Sequence, residues 1–113
     1  MPSPPELVEH FTAATDRLIA EAPDVSRRKM FGYPACFAGG HMFTSLHEDR
    51  WIVRLADDAL AELAAAGGTA FEPMPGRPMR SYLALPEAIR ADDEQLDAWL
   101  GWALTTVRAM PSK

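Results

Sequence analysis

The chain has 113 residues, of which 48% are hydrophobic and 24% charged, and eleven Lys or Arg against sixteen Asp or Glu leave a net charge of −5. That length suits one domain burying about two thirds of its unfolded surface, and the ordinary composition excludes disorder except at the first few residues and from Pro111 to Lys113. The acidic balance counts against the broad cationic footprint of a nucleic-acid-binding domain, the single Cys36 excludes a disulfide framework or a cysteine zinc cluster, and no apolar run approaches the ~20 residues of a membrane span.

MPSPPELVEH has no signal-peptide core, which together with the cysteine usage places the expected location in the cytoplasm. Ser3 followed by Pro4 and Pro5 predicts a helix start, with Ser3 as cap. Leu7, Phe11, Ala14, Leu18 and Ala22 then form one apolar stripe until Pro23 ends the helix. After Arg27 the period changes to two. Phe37, then Met42, Thr44 and Leu46, then Trp51, Val53 and Leu55 predict a three-stranded meander with turns at Gly39-Gly40 and near Glu48-Asp49. Pro34 lacks a ladder donor, so pairing is expected to restart near Ala35 and leave Arg27 to Phe31 as a separate segment.

Asp57-Asp58 predicts the N-cap of a short helix with Leu60, Leu63 and Ala64 on its apolar face, ended by Gly67-Gly68. Ala70 to Met74 and Pro78 to Leu85 read as two strands around a Pro75-Gly76 type II turn, with irregular pairing at Pro73 and Pro78. Pro86 and a polar stretch lead to a last helix whose stripe is Leu96, Trp99, Leu100, Ala103, Leu104 and Val107, with Trp102 on its flank. The order is α-β-β-β-α-β-β-α, an α+β domain with helices on one face of an antiparallel sheet. On this reading the other sheet face carries Cys36, His41, Phe43, Ser45, His47, Ile52 and Arg54.

RKMFGYPACFAGGHMF (28 to 43), DRWIVRL (49 to 55), FEPMPGRPMRSYLALP (71 to 86) and AWLGWAL (98 to 104) together resemble the N-terminal domain of the TfoX/Sxy bacterial competence regulators, over roughly residues 25 to 109. The resemblance implies a two-layer α-β(3)-α-β(2)-α fold similar to that of secretion chaperones, a homodimer, and a stand-alone domain without the regulators' C-terminal helical domain. For TfoX itself the role is promotion of competence-gene transcription together with the cyclic-AMP receptor protein. The resemblance implies no catalytic residues.

Three kinds of chemistry can be weighed on the residues. Cys36 would be a nucleophile if His41 lowered its pKa; a Gly39-Gly40 loop sets Cys36 opposite Phe43 and puts His41 diagonally next to it, about 7 to 8 Å away between α-carbons. Packing is the commoner use of such a cysteine. A metal site from Cys36, His41 and His47 fails because six strand residues put the two histidines roughly 20 Å apart; no metal or cofactor is expected, and His10 and His47 read as surface histidines. The cations remain. Arg27 and Lys29 would point to one side of their segment and Arg28 to the other, and if the two motif segments meet, their guanidinium forks could hold a carboxylate or phosphate.

The expectation is a non-enzymatic regulatory or interaction domain binding a protein partner or small anion through Arg28, Lys29, Met30, Phe31, Gly32, Arg77, Pro78, Met79 and Arg80. Met30, Met42, Met74 and Met79 are candidates for an adaptable surface, and Phe43 and Trp102 for a dimer or partner contact. The alternatives are a small enzyme using Cys36 with His41, and a weak direct DNA binder.

Overall fold

Pro5 opens helix α1 (Pro5–Glu21) from its first position, and the carbonyl of Pro4 takes the first helical bonds, from Leu7 N–H at 3.0 Å and Val8 N–H at 3.1 Å. The cap is therefore Pro4 and not Ser3, whose buried hydroxyl has no partner among the described residues. Ser3 stands one residue too early, and a residue before proline is held extended. The computed structural model describes residues 2–74 and 76–112.

Four consecutive strands follow, β1 (Ser26–Met30), β2 (Tyr33–Ala38), β3 (His41–His47) and β4 (Arg50–Arg54), then helix α2 (Asp57–Ala65), strands β5 (Thr69–Ala70) and β6 (Tyr82–Ala84), and helices α3 (Glu87–Arg90) and α4 (Asp93–Arg108). Among the described residues the sheet has six antiparallel strands in the order β1-β2-β3-β4-β6-β5. It contains the predicted meander with one strand more. Residues 26–30 are not a separate segment, because they pair with β2 through Lys29 opposite Pro34 and Met30 opposite Tyr33. In a two-residue hairpin the closing pair is the hydrogen-bonded one and the next is not, so the missing N–H of Pro34 costs the β1 ladder nothing.

The β1–β2 turn is Phe31-Gly32 at φ 54° and 84°, and the β2–β3 turn is Gly39-Gly40 at φ 60° and 83°. Positive φ at both central residues is the hairpin geometry that follows strand twist. Between Cys36 and Phe37 the register shifts: Phe37 pairs with Met42, but Cys36 pairs with Thr44, leaving Phe43 as an extra residue. This bulge changes which face each side chain occupies. Cys36 and Phe43 join the core under the helices, while Phe37 and Met42 turn to the other face, the reverse of the simple alternation.

The main core joins Phe11 and Ala14 of α1, Leu63 of α2, Ile89 of α3 and the whole predicted α4 stripe to Phe43, Leu46, Trp51 and Val53. Helix α4 packs on β3 and β4, with α1 and α3 against it. Asp92 caps α4, its carboxylate accepting from Glu94 N–H (3.1 Å) and Gln95 N–H (3.2 Å). Helix α2 is capped at Ala56 without a side-chain bond, so Asp57 and Asp58 fall inside its first turn, where the helix dipole still favours their charge. Its end is a Schellman motif, with Gly68 N–H to Leu63 O at 2.8 Å and Gly67 N–H to Ala64 O at 3.2 Å. The one-turn helix α3 lies within the stretch expected to be only polar linker; four residues are too few to show a period.

The predicted strands around Pro75-Gly76 are much shorter than expected. Only 69–70 and 82–84 pair, and 71–81 leave the sheet edge as an irregular loop with a single bridge between Met74 and Arg77. Three prolines in that stretch remove ladder donors, which is why regular pairing stops. Arg77 N–H bonds Met74 O at 3.0 Å and Gly76 has φ 75°, while Pro75, the other half of the predicted turn, lies outside the described residues.

Candidate functional site

The loop 71–81 folds back over the sheet face that the helices leave open. Met79 N–H bonds Phe71 O at 2.9 Å and Leu55 N–H bonds Ser81 O at 3.0 Å, pinning both ends of the excursion. Phe71, Tyr82, Ile52 and Ala84 form a second small core there, with Met42 and Met79 against it. Between this loop and the β1–β2 hairpin tip lies a groove of about 280 Å³. Met30 and Phe31 line it from the hairpin, Pro73 and Met79 from the loop, and Ser45 and Ile52 from the strands between. A row of rings also borders it: His47 lies between Tyr33, at 5.1 Å between centroids, and Phe71, at 5.2 Å.

The fold therefore does bring the two motif segments to one place, but through apolar side chains. The cations do not converge as a set. Arg27 is engaged on the helical side, its guanidinium donating to Asp16 Oδ1 (2.7 Å), Thr15 Oγ1 (2.8 Å) and Thr12 O (3.2 Å). Arg28 lies on the opposite face, 4.1 Å from the centre of the Phe37 ring. Lys29, Arg77 and Arg80 are exposed, as are Gly32 and Pro78. Of the four methionines, Met30, Met42 and Met79 line the groove and Met74 stands 60% exposed outside it.

Phe31 departs most from what folding requires. It is 94% exposed and has φ 54°, a left-handed conformation that a bulky residue adopts only at a cost. Trp102 is half-exposed on α4, edge-on to Trp99 at 4.6 Å. Phe43 has no surface to offer a partner: it is fully buried in the main core, where the bulge sends it.

The cysteine pair also looks different in three dimensions. Cys36 is fully buried, opposite Arg27 on one side and Thr44 on the other. His41 is not turned toward it, because its Nε2 lies 2.8 Å from Pro111 O. Burial pushes the Cys36 thiol up to about 11, against a partial opposing pull from Arg27. Since the thiolate is the nucleophile, alkylation of the native protein at pH 8 should run at least about a hundredfold slower than for a free thiol. Rapid labelling of native protein would contradict this. The folded thiol holds its proton above its ordinary value of 9.0, so its contribution to stability is complete below that pH and is lost as pH rises toward the folded value.

His10, read as a surface histidine, packs edge-on to Trp51 at 5.2 Å, and His47, read likewise, is part of the ring row. Among the described residues no group of three His, Cys, Asp or Glu could hold a metal, and no helix is long and apolar enough to cross a membrane. Alternation had already set Ser45, His47 and Ile52 on this open face, without giving them a site. Tyr33 and Phe71 were not singled out from the sequence, because Phe71 reaches this face only once the loop folds back and Tyr33 through the pairing of β1 with β2.

The TfoX N-terminal domain family model matches residues 17–106, spanning both the hairpin and the loop that border the groove. No curated protein matches the chain.

Proposed function

The chain belongs to the TfoX N-terminal domain family, and from that premise we propose that it is a non-enzymatic interaction domain that presents Phe31, at the lip of the groove, to a protein partner. The observation that carries this is the combination of exposure and backbone strain at Phe31. A type I′ hairpin asks for Asn, Asp or Gly at that position, so an aromatic there weakens the turn and adds nothing to the core. Exposed aromatics that do not serve the fold mark contacts. The neighbouring Met30 extends the same surface with apolar area, and Lys29 in the same hairpin is exposed. The burial of Cys36 and the engagement of His41 support the non-enzymatic reading, and the net charge of −5 supports contact with protein over DNA. We take the partner to be a protein that controls transcription, a reading supported by the resemblance to the competence regulators alone.

Phe31→Asn tests this directly. Asn-Gly relieves the strain, so thermal stability should hold or rise by up to about 1 kcal/mol, while proteins captured from cell extract by the wild type should be lost. Unchanged capture, or none by the wild type, overturns the reading; a fall in stability would make Phe31 structural instead. Native mass measurement on the same preparations tests the homodimer, for which we assign Trp102 as the contact: a monomer at micromolar concentration removes that assignment.

A further inference from the structure

Beside the apolar groove lies a second hollow of about 310 Å³, lined by Arg54, Met79, Arg80, Ser81 and Tyr82. Met79 borders both. On one side of it the walls are thioethers, rings and Ile52; on the other they are two guanidiniums, a hydroxyl and a phenol. Tyr82 is fixed between them, its hydroxyl donating to Met42 O at 3.1 Å, so the boundary is set by packing and not by a mobile side chain.

The charge here is uncompensated. Among the described residues neither Arg54 nor Arg80 has a carboxylate within ion-pair distance, although acidic residues outnumber basic ones in the chain. Among the described residues Arg54 Nε is moreover buried with no acceptor, while its guanidinium lies 5.8 Å from the centre of the Tyr82 ring and interacts with that phenol. Two guanidiniums that line one hollow with no carboxylate between them suit an anionic acceptor, which their forks can pair with directly.

We propose that groove and hollow form one site for an amphipathic organic anion, its apolar body between Phe71, Ile52 and the methionines and its carboxylate, sulfonate or phosphate on Arg54 and Arg80. The sizes fit, since small-molecule sites occupy about 300 to 1,000 Å³ and combine an apolar lining with a few polar groups that fix orientation. Methionines suit such a lining because they repack around ligands of different outline. A plain inorganic anion would leave the apolar part unused, and a neutral apolar compound would leave the guanidiniums unpaired. Occupancy would also set a ligand under the lip that carries Phe31, which gives the interaction surface a small-molecule input. The binding itself does not depend on the partner reading.

Two dyes of similar body, anilinonaphthalene sulfonate and neutral phenylnaphthylamine, separate the contributions in a fluorescence titration of the native chain. The sulfonate should bind at least about tenfold more tightly, as expected for a charge-assisted pair, and octanoate should displace it. Arg80→Ala should remove that advantage and leave the neutral dye unchanged, and Arg80→Lys should restore part of it. With methyl-labelled methionine, the Met42 and Met79 signals should move on binding and that of Met110, packed on the main core, should not. Equal affinity for the two dyes, insensitivity to Arg80→Ala, or a response confined to Met110 would each overturn the proposal. Dye binding is read on the chain alone and partner capture from cell extract, so failure of one reading is seen separately from failure of the other.

Discussion

Trp51→Ala should lower the unfolding free energy by about 3 to 5 kcal/mol, the usual range for removing a buried large aromatic. Trp51 is fully buried where α1 crosses the sheet, 5.2 Å from the Phe11 ring and 5.2 Å from His10. Its indole Nε1 donates to Thr44 Oγ1 at 3.0 Å, and that hydroxyl donates to Ile52 O at 2.8 Å. Thr44→Val keeps the shape but strands the indole N–H and should cost about 1 to 3 kcal/mol. Since a domain of this size has about 5 to 15 kcal/mol in total, the first change should bring urea unfolding close to native conditions. A loss under 1 kcal/mol for Trp51→Ala would mean that α1 is not held to the sheet by this contact.

Gly68→Ala should cost about 1 to 3 kcal/mol by overpacking, more than Gly32→Ala, and the contrast is informative. A β-carbon on Gly68 would stand 2.7 Å from Leu63 Cγ and 2.9 Å from Leu63 O, the carbonyl that already accepts the Gly68 N–H. Either the Schellman end of α2 opens or Leu63 leaves the core. At Gly32 nothing lies within 4 Å, and φ is 84°; alanine there meets only the left-handed backbone penalty of about 1 to 2 kcal/mol. Chemical denaturation of the two variants decides the order. If Gly32→Ala proves the more damaging, the α2 end is looser than its hydrogen bonds indicate.

Local periodicity was enough to place α1, α2 and α4 and the three strands of the meander, because each buries one face and the spacing of its apolar residues records which. Phe11, Ala14, Leu96, Trp99, Leu100, Leu104 and Val107 are buried as that spacing requires. The resemblance of RKMFG and EPMPGRPM to one family holds over most of the chain. Periodicity failed where a single residue decides the face. The bulge at Phe43 inverts the assignments of Cys36, Phe37, Met42 and Phe43, and nothing in GGHMF announces it. The pairing of β1 was likewise hidden, since its five residues are all exposed and carry no buried side to read.

The candidate site divides in the same way. Met30, Phe31, Met79 and Arg80 were legible as residues of two unusual segments, and the net charge already spoke against a nucleic-acid surface. That the segments meet through Met30, Phe31, Pro73 and Met79, while Arg27 is spent on Asp16 and Arg28 on Phe37, was decided only by the tertiary structure. The reason is physical: periodicity reports what an element hides from water, whereas a groove between a hairpin tip and a folded-back loop is set by the twist of the sheet and by hydrogen bonds between residues distant in the chain, such as those closing 71–81.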